Sequence, residues 1–180
     1  MAGGSFFILL DDIAAILDDV AAMTKVAAKK TAGVVGDDLA VNAQQVTGVS
    51  AERELPIVWQ VAKGSFWNKV KIIPLALLLS TLSKVLVMIA LMLGGIYLCY
   101  EGAEKIFGHS AENEDKKTLS EEEKIDGAIK TDFVLSGEIM VIALGSAAAL
   151  PFLSQVLVLS VIGIAMTVGV YGLVALIVKA

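Results

Sequence analysis

Glu138 and Asp132 are the residues of this chain best placed to handle a proton or a cation. Glu138 lies a few positions inside an apolar run, in the string Thr131-Asp132-Phe133-Val134-Leu135-Ser136-Gly137-Glu138. A carboxylate in hydrocarbon costs a few kcal/mol, so it is usually paired, protonated or functional. Asp132 stands six residues earlier, more than one helical turn away. The two can border one polar vestibule with Ser136, but they cannot form a tight two-carboxylate site on one helix face. Lys84 is the third candidate. It sits near the middle of Ile72–Tyr100, a run of 29 positions with no other charge, beside Ser80, Thr81 and Ser83. It would serve as a substrate or counter-ion site, or snorkel to the membrane interface. The structural alternative for Glu138 is an acid paired with Lys84 or Lys130.

A weaker candidate is the acidic cluster of Asp11, Asp12, Asp18 and Asp19, a doublet repeated after seven residues. Divalent cations need converging oxygens. One helix face spreads these acids over two turns, so convergence needs a second element, which Asp37 and Asp38 could supply. The alternative is a solvated face. His109 is the sole histidine, in a polar stretch, and makes no metal site. Cys99 is the sole cysteine and reads as a small packing residue. No Ser/His/Asp or Cys/His set, phosphate-binding glycine loop or nucleic-acid motif is present. The expectation is therefore no enzyme, no cofactor and no nucleic-acid partner.

The elements that must position these residues are set by hydropathy. The chain is 57% hydrophobic with mean hydropathy +0.79 and net charge −5. A soluble domain is roughly 45–50% apolar, and the excess here is gathered in Ile72–Tyr100, Phe133–Leu150 and Phe152–Val178. A bilayer core needs about 20 apolar residues as a helix. The fold class expected is an all-α integral membrane protein with the lipid bilayer as its partner. No signal peptide opens the chain, because Asp11 and Asp12 stop the apolar run Phe6–Leu10 too early.

Residues 1–71 read as amphipathic helices at the cytoplasmic membrane face. The first covers 5–31, with Ser5 as N-cap, and Gly33 and Gly36 break it. A short helix capped by Asp37 ends at Gly48, and a third starts near Pro56. Trp59 and Trp67, with Phe66, stand beside Lys63, Lys69 and Lys71, the composition of an interfacial anchor. Residues 72–100 form either one long tilted span or a re-entrant pair turning near Ser83–Lys84. Residues 101–132 are a polar connection in which Ser120 and Glu123 fit a capping box. Residues 133–180 form a transmembrane hairpin about the turn Leu150-Pro151-Phe152. Small residues spaced by four (Gly145 with Ala149, Gly163 with Thr167, Ala165 with Gly169) favour close helix packing or a homo-oligomer. Lysines are dense in 1–71 and 101–132 and absent from the 150–154 turn. The positive-inside rule then puts both basic regions in the cytoplasm and favours the re-entrant form.

Several strings carry a resemblance. They are Leu10-Asp11-Asp12-Ile13-Ala14, Ala27-Ala28-Lys29-Lys30-Thr31-Ala32-Gly33-Val34, Gly36-Asp37-Asp38-Leu39, and Asn42-Ala43-Gln44-Gln45-Val46-Thr47-Gly48-Val49. Further along are Arg53-Glu54-Leu55-Pro56, Val61-Ala62-Lys63-Gly64-Ser65, Gly127-Ala128-Ile129-Lys130-Thr131-Asp132-Phe133 and Gln155-Val156-Leu157-Val158-Leu159-Ser160. On these the chain resembles a bacterial inner-membrane family of unknown function that includes YedI. The resemblance implies a multi-pass protein of the bacterial inner membrane. It brings no activity or site residue. It also implies that family chains run on past this C-terminus, so this chain looks like their N-terminal part. The favoured reading is a structural or interaction role in the membrane. The alternative is a small transporter or channel moving cations or protons past Glu138.

Overall fold

The computed structural model describes residues 2–46, 51–108 and 120–179, all built from helices. They are α1 (Ala2–Val46), α2 (Ala51–Leu82), α3 (Lys84–Gly108), α4 (Glu121–Ser146) and α5 (Phe152–Lys179). Helices α1, α2, α4 and α5 form a four-membered bundle. Each of α4 and α5 packs mainly on α1 and α2, and much less on the other, so the α4–α5 hairpin partners stand diagonally with α1 and α2 between them. The N-terminal region thus supplies half of the bundle.

Four expected helix boundaries are corrected. Ser5 lies inside α1 rather than capping it, and α1 runs unbroken through Gly33 and Gly36 to Val46. Each glycine disfavours helix by about 1 kcal/mol, but Thr31 and Asp38 are buried nearby and Val34 and Val35 pack on the bundle core. Tertiary burial overrides the local preference, and Asp37 lies mid-helix. The expected stop at Gly48 lies outside the described residues. Helix α2 begins at Ala51 and carries Pro56 and Pro74 within it, so the amphipathic third helix and the first apolar arm are one element.

The long apolar run does divide where its polar residues sit. Ser83 alone separates α2 from α3. Leu79 accepts the Ser83 amide, and the Ser83 hydroxyl accepts the Val85 amide. Gly94 and Gly95 of α3 share a cleft with Ile72 of α2, so α3 folds back beside the apolar half of α2. Within the polar connection 101–132, α3 extends to Gly108 and α4 starts at Glu121 and runs on into the next apolar block. At that start the capping box forms as expected. The Ser120 amide donates to Glu123 Oε2 at 2.8 Å, and the Glu123 amide donates to Ser120 Oγ at 3.2 Å. Pro151 separates α4 from α5, as its missing amide and fixed φ favour.

The interior is layered. One apolar layer joins Ile72, Ala76 and Leu77 of α2 to Ile139, Met140 and Ala143 of α4 and Val158, Leu159 and Ile162 of α5. The other joins Ile57, Val58 and Val61 to Ala128, Val170 and Val174. Between them along α2 and α4 come Ser65, Asn68, Lys69, Asp132 and Ser136, all buried.

Small residues matter where helices cross. Gly163 is buried, and a Cβ there would stand 3.5 Å from Met140 Cε. Gly145, Ala149, Ala165 and Gly169 lie instead on exposed faces. Gly64 marks the closest approach: an added Cβ would run into Ile129 Cδ1 and Cγ1. Gly64→Ala is therefore expected to cost about 1–3 kcal/mol by overpacking, read as a lower midpoint of thermal unfolding. Gly36→Ala, where nothing stands within 4 Å, is expected to leave that midpoint unchanged or raise it.

Candidate polar centre of the bundle

Asp132 is wholly buried on α4, and side chains of α2 and α5 converge on its carboxylate. From α2, Ser65 Oγ donates to Oδ1 at 2.7 Å and Asn68 Nδ2 donates to Oδ2 at 2.9 Å. From α5, Tyr171 OH lies 3.0 Å from Oδ1. Lys69 Nζ stands 3.4 Å from the same oxygen, with side chains 4% and 0% exposed. The spacing explains the convergence: Ser65, Asn68 and Lys69 stand at i, i+3 and i+4, one face of a helix.

Lys69 is held by more than its counter-ion. Its ammonium donates to Ser65 Oγ at 2.6 Å and to Ser136 Oγ at 2.9 Å. With Asp132 Oδ1, that makes a cage of three oxygens. Taking two charges out of water costs several kcal/mol each, and only close pairing and full hydrogen bonding offset it.

A second buried carboxylate joins from α1. Asn42 Nδ2 donates to Asp38 Oδ1 at 2.7 Å, and Asn42 Oδ1 lies 3.1 Å from Tyr171 OH. The single phenolic proton therefore serves either Asn42 or Asp132 at one time. Burial pushes the Asp38 carboxyl up from 3.8 to about 7, with Asp132 adding to the rise and Lys69 and the Asn42 hydrogen bond opposing it.

The expected site residues are distributed differently from the sequence reading. Asp132 is at the centre, but Glu138 is not: it lies half-buried in a cleft lined by α2, α3 and α4. Six residues of helix put the two about 9 Å apart along α4 and about 120° apart around it. Lys84 opens α3, and its side chain lies outside the described residues. Lys130, the other partner expected for Glu138, bonds Asp126 at 2.6 Å. Asp11, Asp12, Asp18 and Asp19 are exposed, as is Asp37, while Asp38 faces inward. Asp38 is nineteen positions beyond Asp19 on the same straight element, so the acidic set does not converge. No group of three or more metal-ligating side chains occurs among the described residues. Trp59 and Trp67 are 73% and 52% exposed, but Lys69, expected beside them at the interface, is buried. Lys69, Ser65, Asn68, Asn42 and Tyr171 are the members the sequence reading missed.

Fold and site together define an all-helical bundle with a polar, hydrogen-bonded layer between two apolar ones. Among the described residues one helix, Phe152–Lys179, is long and apolar enough to cross a membrane, with 28% of its apolar window buried. Residues 4–180 match the family model described as "Protein of unknown function (DUF808)", and the chain belongs to that family. No curated protein and no solved structure matches it.

Proposed function

We propose that this protein is a membrane-embedded helical bundle that binds a proton or small monovalent cation at Asp132, in the service of transport. The observation that carries the reading is the Lys69 ammonium, held in a buried cage by Ser65 Oγ, Ser136 Oγ and Asp132 Oδ1. An ammonium so held occupies the kind of oxygen site a small cation would take. For a cation to enter, the Lys69 ammonium must leave the cage, so the two compete for the same oxygens. Asn42 Oδ1 and the Tyr171 hydroxyl offer further oxygens to the same centre.

The membrane setting is supported by the apolar surface left on the outside of the bundle. Helix α5 exposes Val161, Ile164, Val168, Leu173 and Leu176, and α3 exposes Val85, Met88, Met92, Leu93 and Ile96. Patches this continuous are rare on soluble monomers. With α3 folded back on α2, the lysine distribution favours a multi-pass arrangement in the bacterial inner membrane with the N-terminal region on the cytoplasmic side.

The second reading is a bundle whose polar layer only fixes helix register, with a structural or interaction role. What favours it is that the hydrogen bonds of the centre close on one another, as in buried networks that specify one packing. Thermal unfolding of the detergent-purified protein separates the two. A ligand that binds only the native state raises the midpoint by mass action, by about 2.7 kcal/mol at 100 times its dissociation constant. The expected result is a rise with Na⁺, Li⁺ or K⁺ that grows with pH and vanishes in Asp132→Asn. The same shift in both proteins, or none with any ion at any pH, leaves the register role.

A further inference from the structure

Glu138 stands apart from the Asp132 centre, and its surroundings differ in kind. It borders a cleft of about 290 Å³ between α2, α3 and α4, whose walls are otherwise apolar, from Ile72 and Ala76 across to Phe133. Among the described residues its carboxylate has no hydrogen-bond or ion-pair partner, and Lys130 is engaged by Asp126. Two glycines of α3 shape the space. At Gly94 an added Cβ would stand 2.9 Å from Val134 Cγ1, so α3 approaches α4 closely there. At Gly95 nothing stands within 4 Å, so that position opens onto the cleft. A further cleft shares Val87 and Val141 with this one and continues the groove toward Ser80 and Gln155.

A bare metal ion does not suit this place, because one carboxylate offers two oxygens where hard cations take six or more. An anion is repelled, the more strongly for the low dielectric of the apolar walls. A neutral apolar molecule fills the walls and leaves the carboxylate unpaired, which is costly. We propose that the Glu138 cleft is a binding site for an organic cation with an apolar body, such as an aromatic or alkyl ammonium or phosphonium compound. Apolar burial supplies the contact, and Glu138 selects the charge. The site is independent of the polar centre and stands whether or not Asp132 binds a cation.

The test is equilibrium dialysis of tetraphenylphosphonium against the protein in an uncharged detergent, with empty micelles as the background. Tetraphenylborate, nearly the same size with the opposite charge, is the comparison. The expected result is saturable binding of the phosphonium only, weakened tenfold or more in Glu138→Gln and abolished in Gly95→Phe, which fills the cleft. Gly36→Ala, where nothing stands within 4 Å of the added methyl, serves as the control and is expected to bind like the parent. Equal binding by Glu138→Gln, equal binding of the borate or no saturable binding of the phosphonium would each overturn the proposal. Unfolding midpoints of Glu138→Gln and Gly95→Phe within a few degrees of the parent exclude misfolding as the cause of a loss.

Discussion

Replacing Asp132 by alanine is expected to remove about 3–5 kcal/mol of stability, as breaking one side of a buried ion pair does. The substitution leaves the Lys69 ammonium without its counter-ion, and it also strands the donors of Ser65, Asn68 and Tyr171 that now end on the carboxylate. None of these groups reaches water, since Ser65, Asn68 and Lys69 are buried with it. Lys69→Ala is expected to cost a similar amount for the mirrored reason, an uncompensated carboxylate. The two losses are not additive. The joint change Asp132→Leu with Lys69→Met removes both charges in similar volume, and such replacements are often neutral or stabilising. A double-mutant cycle by thermal unfolding measures the coupling directly. Single losses below about 1 kcal/mol would mean the centre is hydrated in solution, since exposed pairs contribute no more than that. If the joint variant is stable but no longer shifts with cations, the polar layer is kept for binding and not for folding.

What the sequence disclosed follows from which physical signals are local. The capping box at Ser120 and Glu123 and the Pro151 turn depend on neighbouring residues, and both stand as read. The division of the apolar run at Ser83 was visible because the polar residues clustered there. The continuity of α1 was hidden. Gly33 and Gly36 favour a break, and only the packing of Val34, Val35 and Asp38 against other helices carries the helix past them. The site was half legible. Asp132 drew notice as an acid at the edge of an apolar block, but Lys69 read as one more interfacial lysine beside Trp67. The signal that could have found it is the polar stripe Ser65, Asn68, Lys69 at helical spacing, which turns away from Trp59 and Trp67. Asp38 and Asn42 repeat that spacing on α1. Tyr171 carried no local signal at all: a tyrosine in an apolar helix is unremarkable until Asn42 and Asp132 meet its hydroxyl. Glu138 drew notice by the same rule as Asp132, yet the turn of α4 sends it to a different wall.

The buried Asp38 is expected to make stability fall as pH rises. Its carboxyl has an ordinary value of 3.8 and is pushed up to about 7 in the folded chain, first by burial and then by Asp132, with Lys69 and Asn42 opposing. Between those two values the folded state holds a proton that the unfolded state has released. The stabilising contribution is therefore complete below 3.8 and is lost progressively as pH climbs through about 7. Each pH unit of that window is worth about 1.4 kcal/mol, so the whole is on the order of 4 kcal/mol. This runs against the usual carboxylate, which stabilises the folded state when ionised. The charged and titratable groups of the connected centre are Asp132 on α4, Lys69 on α2 and Tyr171 on α5. Asp38→Asn keeps an oxygen for the Asn42 amide and cannot ionise. It is expected to flatten the unfolding midpoint between pH 4 and pH 7 and to exceed the parent above pH 7. A parent whose midpoint rises over that range would show that Asp38 is ionised when folded, with Lys69 shared between two carboxylates. The sign matters for the proposed function, because a proton that leaves Asp38 near neutrality places a negative charge three polar contacts from Asp132. That charge would draw a cation into the centre at the pH where Asp38 lets its proton go.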